Sequence, residues 1–140
     1  MEVNPQKQLI DDLCKKIEVA KREGDQIVVI LDANEDIRKG YAQQQFAQSG
    51  LLEAVIDRHG QEAPATYHKG SKPIDGVFVS PTLRGCKCGY AAFGDGPQGI
   101  THRLVCLTYR FPLPLAMSSL LQSLKSGIFK ITIPGSWKGT

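Results

Sequence analysis

The run Ile27-Val28-Val29-Ile30-Leu31 constrains the fold more than any other segment of this chain. Its mostly β-branched side chains favour extended backbone, and an unbroken apolar run fits a strand covered on both faces. The run stops at Asp32-Ala33-Asn34-Glu35. A carboxylate and a carboxamide two residues apart therefore stand just past the end of a buried strand, where α/β folds place their ligands.

The residues around this strand support an α/β layer. Residues 5 to 23 read as an amphipathic helix, with Asn4 as its cap and Pro5 at the first helical position. Leu9, Leu13 and Ile17 fall on one face with Ile10 and Cys14 beside them, and Lys21 and Arg22 complement the helix dipole. Gly24-Asp25 turns the chain into the strand. A second, weaker helix is expected from about Asp36 to Gln48, closed by Gly50. Leu51, Leu52, Ala54 and Val55 form a short apolar element. Ile74 to Ser80 is a strand stopped by Pro81. Further strands are expected around Lys87 to Ala92 and Leu104 to Tyr109, the latter as the last core strand, with a glycine-rich turn at Phe93 to Gly99 between them. Beyond Phe111, Pro112 and Pro114 break the pattern. Leu115 to Leu124 suggests a short helix and Ile128 to Ile133 a short strand. The expected division is a domain over residues 1–110 and a divergent tail over 111–140.

A chain of 140 residues with 41% hydrophobic and 22% charged residues has material for one cored domain. The net charge of +3 permits a phosphate-bearing partner without arguing for one. No apolar stretch is long enough to span a bilayer, and the first residues lack the pattern of a signal peptide. An intracellular protein, in cytoplasm or nucleus, without membrane attachment is the expectation. Cys14, Cys86, Cys88 and Cys106 do not form the clustered pairs of a zinc site and read as reduced thiols.

Three separated pieces occur in a fixed order: Ile30-Leu31-Asp32-Ala33-Asn34; Ala65-Thr66-Tyr67 through Pro73-Ile74-Asp75-Gly76-Val77-Phe78-Val79-Ser80; and Thr101-His102-Arg103-Leu104-Val105. Together they resemble the C-terminal half of the endonuclease/exonuclease/phosphatase superfamily, the deoxyribonuclease-I-like fold. The stretch from Cys88-Gly89-Tyr90 to Gly96 resembles the retrotransposon-type endonucleases in particular. The resemblance covers about residues 8 to 110. It implies an α/β (α+β) fold: half of a two-sheet αββα sandwich, a mixed sheet with flanking helices.

The resemblance also implies a chemistry, phosphodiester or phosphomonoester hydrolysis with Mg2+ or Mn2+, with nucleic acid as the expected partner. Asp32 would orient or deprotonate the attacking water and serve as the metal-binding carboxylate. Asn34 would donate to a phosphate oxygen and hold Asp32. His102 would contact the phosphate or move a proton, and Asp75 would bond its other ring nitrogen and fix the tautomer. His68, Lys69 and Lys72 are the candidate substrate-binding residues, facing a nucleic-acid backbone. Read singly, each residue has a plainer role. Asp32-Ala33-Asn34 is also a strand-to-helix turn with a capping side chain, and Asp75 is also a polar residue on an exposed strand face. His102 is also a half-buried structural histidine, and the basic loop is also a solvated one.

Two departures from the family pattern stand out. Thr101 occupies the place of an aspartate, and a hydroxyl is a poor substitute ligand for magnesium. The family's N-terminal half, with its metal-binding glutamate, has no counterpart upstream of Asp32. The expectation is a truncated domain, weak or inactive alone, or a non-catalytic derivative that binds nucleic acid or protein. A lone half-sandwich also leaves one apolar sheet face to be covered by the residues after Phe111 or by a partner chain or second copy, because wetting it costs ~25 cal/mol per Å².

Overall fold

Asn4 starts the first helix as its sequence position predicts: its side-chain oxygen accepts from the backbone N–H groups of Gln6 (3.0 Å) and Lys7 (3.3 Å), with Pro5 next in line. A computed structural model supplies the architecture and describes residues 2–84, 87–90, 102, 105–108 and 127–131. Its helices are α1 (Pro5–Arg22), α2 (Tyr41–Gln48) and α3 (Ala54–His59). Its strands are β1 (Gln26–Asp32), β2 (Leu52–Glu53), β3 (Asp75–Val79), β4 (Lys87–Tyr90), β5 (Val105–Thr108) and β6 (Gly127–Ile131), with a 3-10 turn at Pro81–Leu83.

The main sheet has the order β2-β3-β1-β6, and β4 and β5 form a separate two-stranded ladder. Every described strand pair is antiparallel, so the expected mixed sheet is not seen among the described residues. This changes the reason for the site's location. In a parallel sheet the site would lie beyond a row of strand ends. Here the end of β1 lies beside the beginning of β3, so their first and last residues face each other: Asp32 pairs with Asp75, Leu31 with Gly76 and Ile30 with Val77.

β1 is central, as its apolar run predicts, and its side chains alternate between two cores. Ile27, Val29 and the half-buried Leu31 pack with Ile10, Ile17, Ala20, Ile37, Phe46 and Phe78 on the face covered by α1 and α2. The Phe46 and Phe78 rings meet there at 4.8 Å. Val28 and Ile30 point to the other face and pack with Ala54, Val77, Val79 and Leu83. Val28, Val77, Val79 and Leu83 are buried.

Several element edges differ from expectation for identifiable reasons. The buried stripe of α1 runs through Ile10, Ile17 and Ala20 with Leu13 and Cys14 beside it, and leaves Leu9 exposed. The second helix starts at Tyr41 rather than near Asp36. Asp36 instead folds back on Arg38, accepting its backbone N–H at 3.0 Å, and Gly40 becomes the cap. The helix then closes as predicted: Gly50, at φ 83°, donates to Ala47, and Leu51 donates to Phe46. The apolar element at 51–55 divides into β2 and the start of α3 because the Glu53 carboxylate accepts from the Ile56 N–H at 2.7 Å and caps that helix. The expected core strand at 104–109 is β5, paired with β4 rather than with the main sheet. The outer neighbour of β1 is β6, paired with it from Gln26↔Ile131 to Ile30↔Gly127, so part of the expected tail joins the main sheet. The expected turn at 93–99, the expected helix at 115–124, and Thr101 lie outside the described residues.

Candidate functional site

Asp32 and Asp75 stand opposite each other because β1 and β3 run antiparallel with this register. The ladder continues past the strand ends, where the Ala33 N–H donates to the Ile74 carbonyl at 2.8 Å and the Ile37 N–H to the Pro73 carbonyl at 3.0 Å. The peptide after Asp32 is also held from the helix layer, where the Gln6 side-chain amide donates to the Ala33 carbonyl. Asn34 then takes φ 50°, a left-handed conformation that asparagine tolerates better than most residues. Its backbone N–H donates to Asp32 Oδ1 at 2.9 Å. The turn thus fixes one carboxylate oxygen of Asp32, and that side chain is exposed at the rim of the sheet.

Asp75 is anchored from behind. Thr66 is fully buried, and its hydroxyl oxygen accepts from the N–H groups of Ile74 (2.8 Å) and Asp75 (3.1 Å). One residue on, Tyr67 forms an isolated antiparallel bridge with His102. That bridge brings the imidazole to β3, where Nδ1 lies 2.7 Å from Asp75 Oδ2. A carboxylate accepts, so Nδ1 carries the hydrogen and Nε2 is left for other chemistry. Both side chains are partly exposed, at 34% for His102 and 18% for Asp75.

Asp32, Asp75 and His102 each bring a potential ligand atom within 4.8 Å of the other two. Two carboxylates at this spacing suit a hard divalent cation, which commonly takes one or two protein carboxylates and fills its shell with water or substrate oxygens. The set is sparse for a resident structural ion, because Asp75 Oδ2 is already committed to the imidazole.

Of the residues picked out from sequence, the structure brings together Asp32, Asp75 and His102, with Asn34 on the turn beside them. Asn34 holds Asp32 through its backbone rather than its side chain, which is exposed. His68, Lys69 and Lys72 lie outside the three-residue cluster, on the exposed loop between Tyr67 and Pro73. That loop turns tightly where the Gly70 N–H donates to the Tyr67 carbonyl at 2.9 Å. Sequence reasoning gave no role to Gln6, Thr66 or Tyr67. Thr66 and Tyr67 lie in the motif that carries the resemblance, so a signal was present. Gln6 is an ordinary polar residue in a first helical turn and carried none.

Glu53 was also missed. Its carboxylate is buried, accepting from the N–H of Val77 at 3.0 Å and of Ile56 at 2.7 Å. Burial raises its pKa above the usual carboxylate value despite these bonds. Cys14 is a free, half-buried thiol whose pKa burial also raises.

Among the described residues no helix is long and apolar enough to cross a membrane. No family model matches the chain, and neither a curated protein nor a solved structure matches it.

Proposed function

We propose that this chain forms the C-terminal half of a two-sheet αββα hydrolase of the endonuclease/exonuclease/phosphatase type, and that its Asp32–Asp75–His102 rim serves metal-dependent phosphodiester hydrolysis on nucleic acid. The observation that carries this reading is the convergence of those three side chains, contributed by the end of β1, the start of β3 and residue 102. They are separated widely in sequence, at positions 32, 75 and 102. A solvated strand face or a capping turn would account for any one of them, but neither requires all three at one rim.

In this reading Asp32 would hold a Mg2+ or Mn2+ ion, which would supply Lewis-acid stabilisation of charge on the phosphoryl oxygens. The chain's own residues do the rest. Asp32, steadied by the Asn34 N–H, orients a water at phosphorus and accepts its proton. Asp75 holds the imidazole by Nδ1, so that a protonated Nε2 meets the phosphoryl group and gives its proton to the leaving oxygen as the phosphorus–oxygen bond breaks. Asn34 places a neutral amide beside the phosphate without repelling it.

Plasmid nicking tests the proposal. With Mg2+ or Mn2+ present, slow nicking is expected, abolished by chelator and reduced about 10²–10³-fold in Asp32→Ala, the range for losing a principal electrostatic group. Nicking undiminished by Asp32→Ala, or its absence at every metal concentration tried, overturns it. A second reading, a non-catalytic nucleic-acid binder, draws on the exposed Lys69 and Lys72 beside the rim. Salt-sensitive retention of DNA without any cleavage would favour it.

A further inference from the structure

The loop that carries His68, Lys69 and Lys72 is joined to the Asp32–Asp75–His102 rim by a row of rings. His102 meets the Tyr67 ring at 5.2 Å between centroids with a 44° tilt. Tyr67 in turn meets His68 at 4.9 Å, edge to face at 74°. The row starts at the imidazole bonded to Asp75 and ends on an exposed side chain. Its middle member is fixed at the backbone by the bridge to His102 and by the bond from Gly70 to the Tyr67 carbonyl. Aromatic spacings of this size are ordinary inside a core. Here the half-buried Tyr67 and the exposed His68 lie on a loop, beside two exposed lysines two and five residues beyond Tyr67.

We propose that Tyr67 and His68 form a stacking platform for an unpaired nucleobase next to the phosphate held at the rim, so that the preferred substrate is single-stranded or locally unpaired nucleic acid. This rests on the nucleic-acid reading above and goes beyond it. Lysines alone would track phosphates and would serve a small phosphate ester or a duplex equally well. Rings add a surface that only an unstacked base can use, because bases inside a duplex are already stacked. A platform fixed before binding loses little entropy when a base lands on it. The exposed lysines then meet the backbone phosphates.

Equilibrium binding measured in chelator, with no hydrolysis, isolates the platform. One probe is a fluorescein-labelled single-stranded DNA ten-mer. The other is a ten-mer of equal length and charge made entirely of abasic tetrahydrofuran units. Both carry the same phosphates, so the electrostatic part of binding is common to them. The base-bearing strand is expected to bind about fivefold tighter or more, the low end of what one stacked base contributes. His68→Ala should shrink that advantage, and His68→Phe should keep it, since Phe retains the ring and drops the titratable nitrogen. Tyr67→Leu, which keeps apolar bulk beside His102, should also shrink it, with thermal unfolding confirming that each variant folds. Equal affinity for the two probes, or an advantage untouched by both His68→Ala and Tyr67→Leu, overturns the platform and leaves the hydrolase reading standing. Failure to bind either probe overturns the platform, and plasmid nicking with metal then decides the hydrolase reading separately. A clear base-dependent advantage in a protein that nicks nothing upholds the platform and removes the hydrolase.

Discussion

Glu53 and Asp75 stand on adjacent strands, β2 and β3, in surroundings that differ in kind. Glu53 is buried, and each of its oxygens is taken by a backbone N–H, one from β3 and one from the first turn of α3. Asp75 is partly exposed, gives one oxygen to the His102 ring and lies opposite a second carboxylate, Asp32. An acceptor fully used by its own backbone is structural, because any new partner must first displace a bond that holds the fold. An acceptor at an open rim, facing another carboxylate and bonded to a titratable ring, retains capacity for a ligand. Burial alone would have ranked Glu53 first among candidate catalytic acids, since a desolvated carboxyl with a raised pKa is a familiar functional sign. The hydrogen-bond inventory reverses that ranking.

Asp75→Asn tests the comparison most severely. The amide keeps the shape and can still accept from Nδ1, so the fold should hold while the charge that orients the imidazole is lost. The expected result is about a 10–100-fold fall in nicking rate, the range for removing a carboxylate behind a functional histidine, with an unchanged urea midpoint. An unchanged rate would place Asp75 with Glu53 as a structural group.

Glu53→Gln is the mirror experiment. Gln keeps one acceptor, but its NH2 must face an N–H that a carboxylate oxygen used to satisfy. The expected loss is about 1–3 kcal/mol in urea unfolding, with nicking per folded molecule unaltered. The same variant carries a pH signature. Because burial raises the folded-state pKa above its ordinary 4.5, the native state holds this proton to higher pH than the unfolded chain. Glu53 therefore withdraws stability as pH rises from about that value through the raised one. Glu53→Gln should flatten stability across this window. A wild-type protein whose stability changes with pH there as the variant's does would show that the desolvation argument is wrong.

What was legible in the sequence followed locality. Ile27 to Leu31 announced a central strand because five consecutive apolar side chains need cover on both faces, and both cores exist. Asn4 and Gly50 announced helix ends because their partners lie within a few residues. The meeting of Asp32, Asp75 and His102 at one rim has no local signature, since nothing local distinguishes Asp32 from a turn residue. Illegible features depended on distant partners. The late start of α2 arises partly because Glu35, seven residues upstream, accepts from the Ala42 N–H at 2.5 Å and caps that helix from outside. Gly40 permits this approach, since a Cβ there would lie 2.6 Å from the Glu35 carboxyl carbon and 2.8 Å from the Asp36 carbonyl oxygen. The antiparallel register was hidden because an all-apolar run does not reveal strand direction. The structural role of Glu53 was hidden because its donors lie 3 and 24 residues away.

Asp36 gives the smallest and finest test, because it is a second buried carboxylate with the opposite electrostatics. Its oxygens accept from the Arg38 guanidinium at 2.9 Å each, and Oδ1 also accepts the Arg38 backbone N–H at 3.0 Å. The guanidinium also donates to the Gln61 carbonyl at 3.0 Å, tying the loop after β1 to the segment before Thr66. Hydrogen bonding from Arg38 outweighs burial and holds the Asp36 carboxyl below its ordinary 3.8. The unfolded chain then binds more protons than the folded one just below that value. The stability Asp36 contributes is present above about 3.8 and is lost as pH falls through the folded-state value. The Arg38 side chain is 26% exposed, so solvent screens the pair, and Asp36→Asn should cost about 0.5–1 kcal/mol near neutrality. The variant should also lose part of the acid limb of the stability curve, whereas Glu53→Gln changes the slope above pH 4.5. If both variants altered the same limb in the same direction, the sign of a buried carboxylate's shift would follow from burial alone, and the distinction between Glu53 and its neighbours by their hydrogen-bond partners would fail.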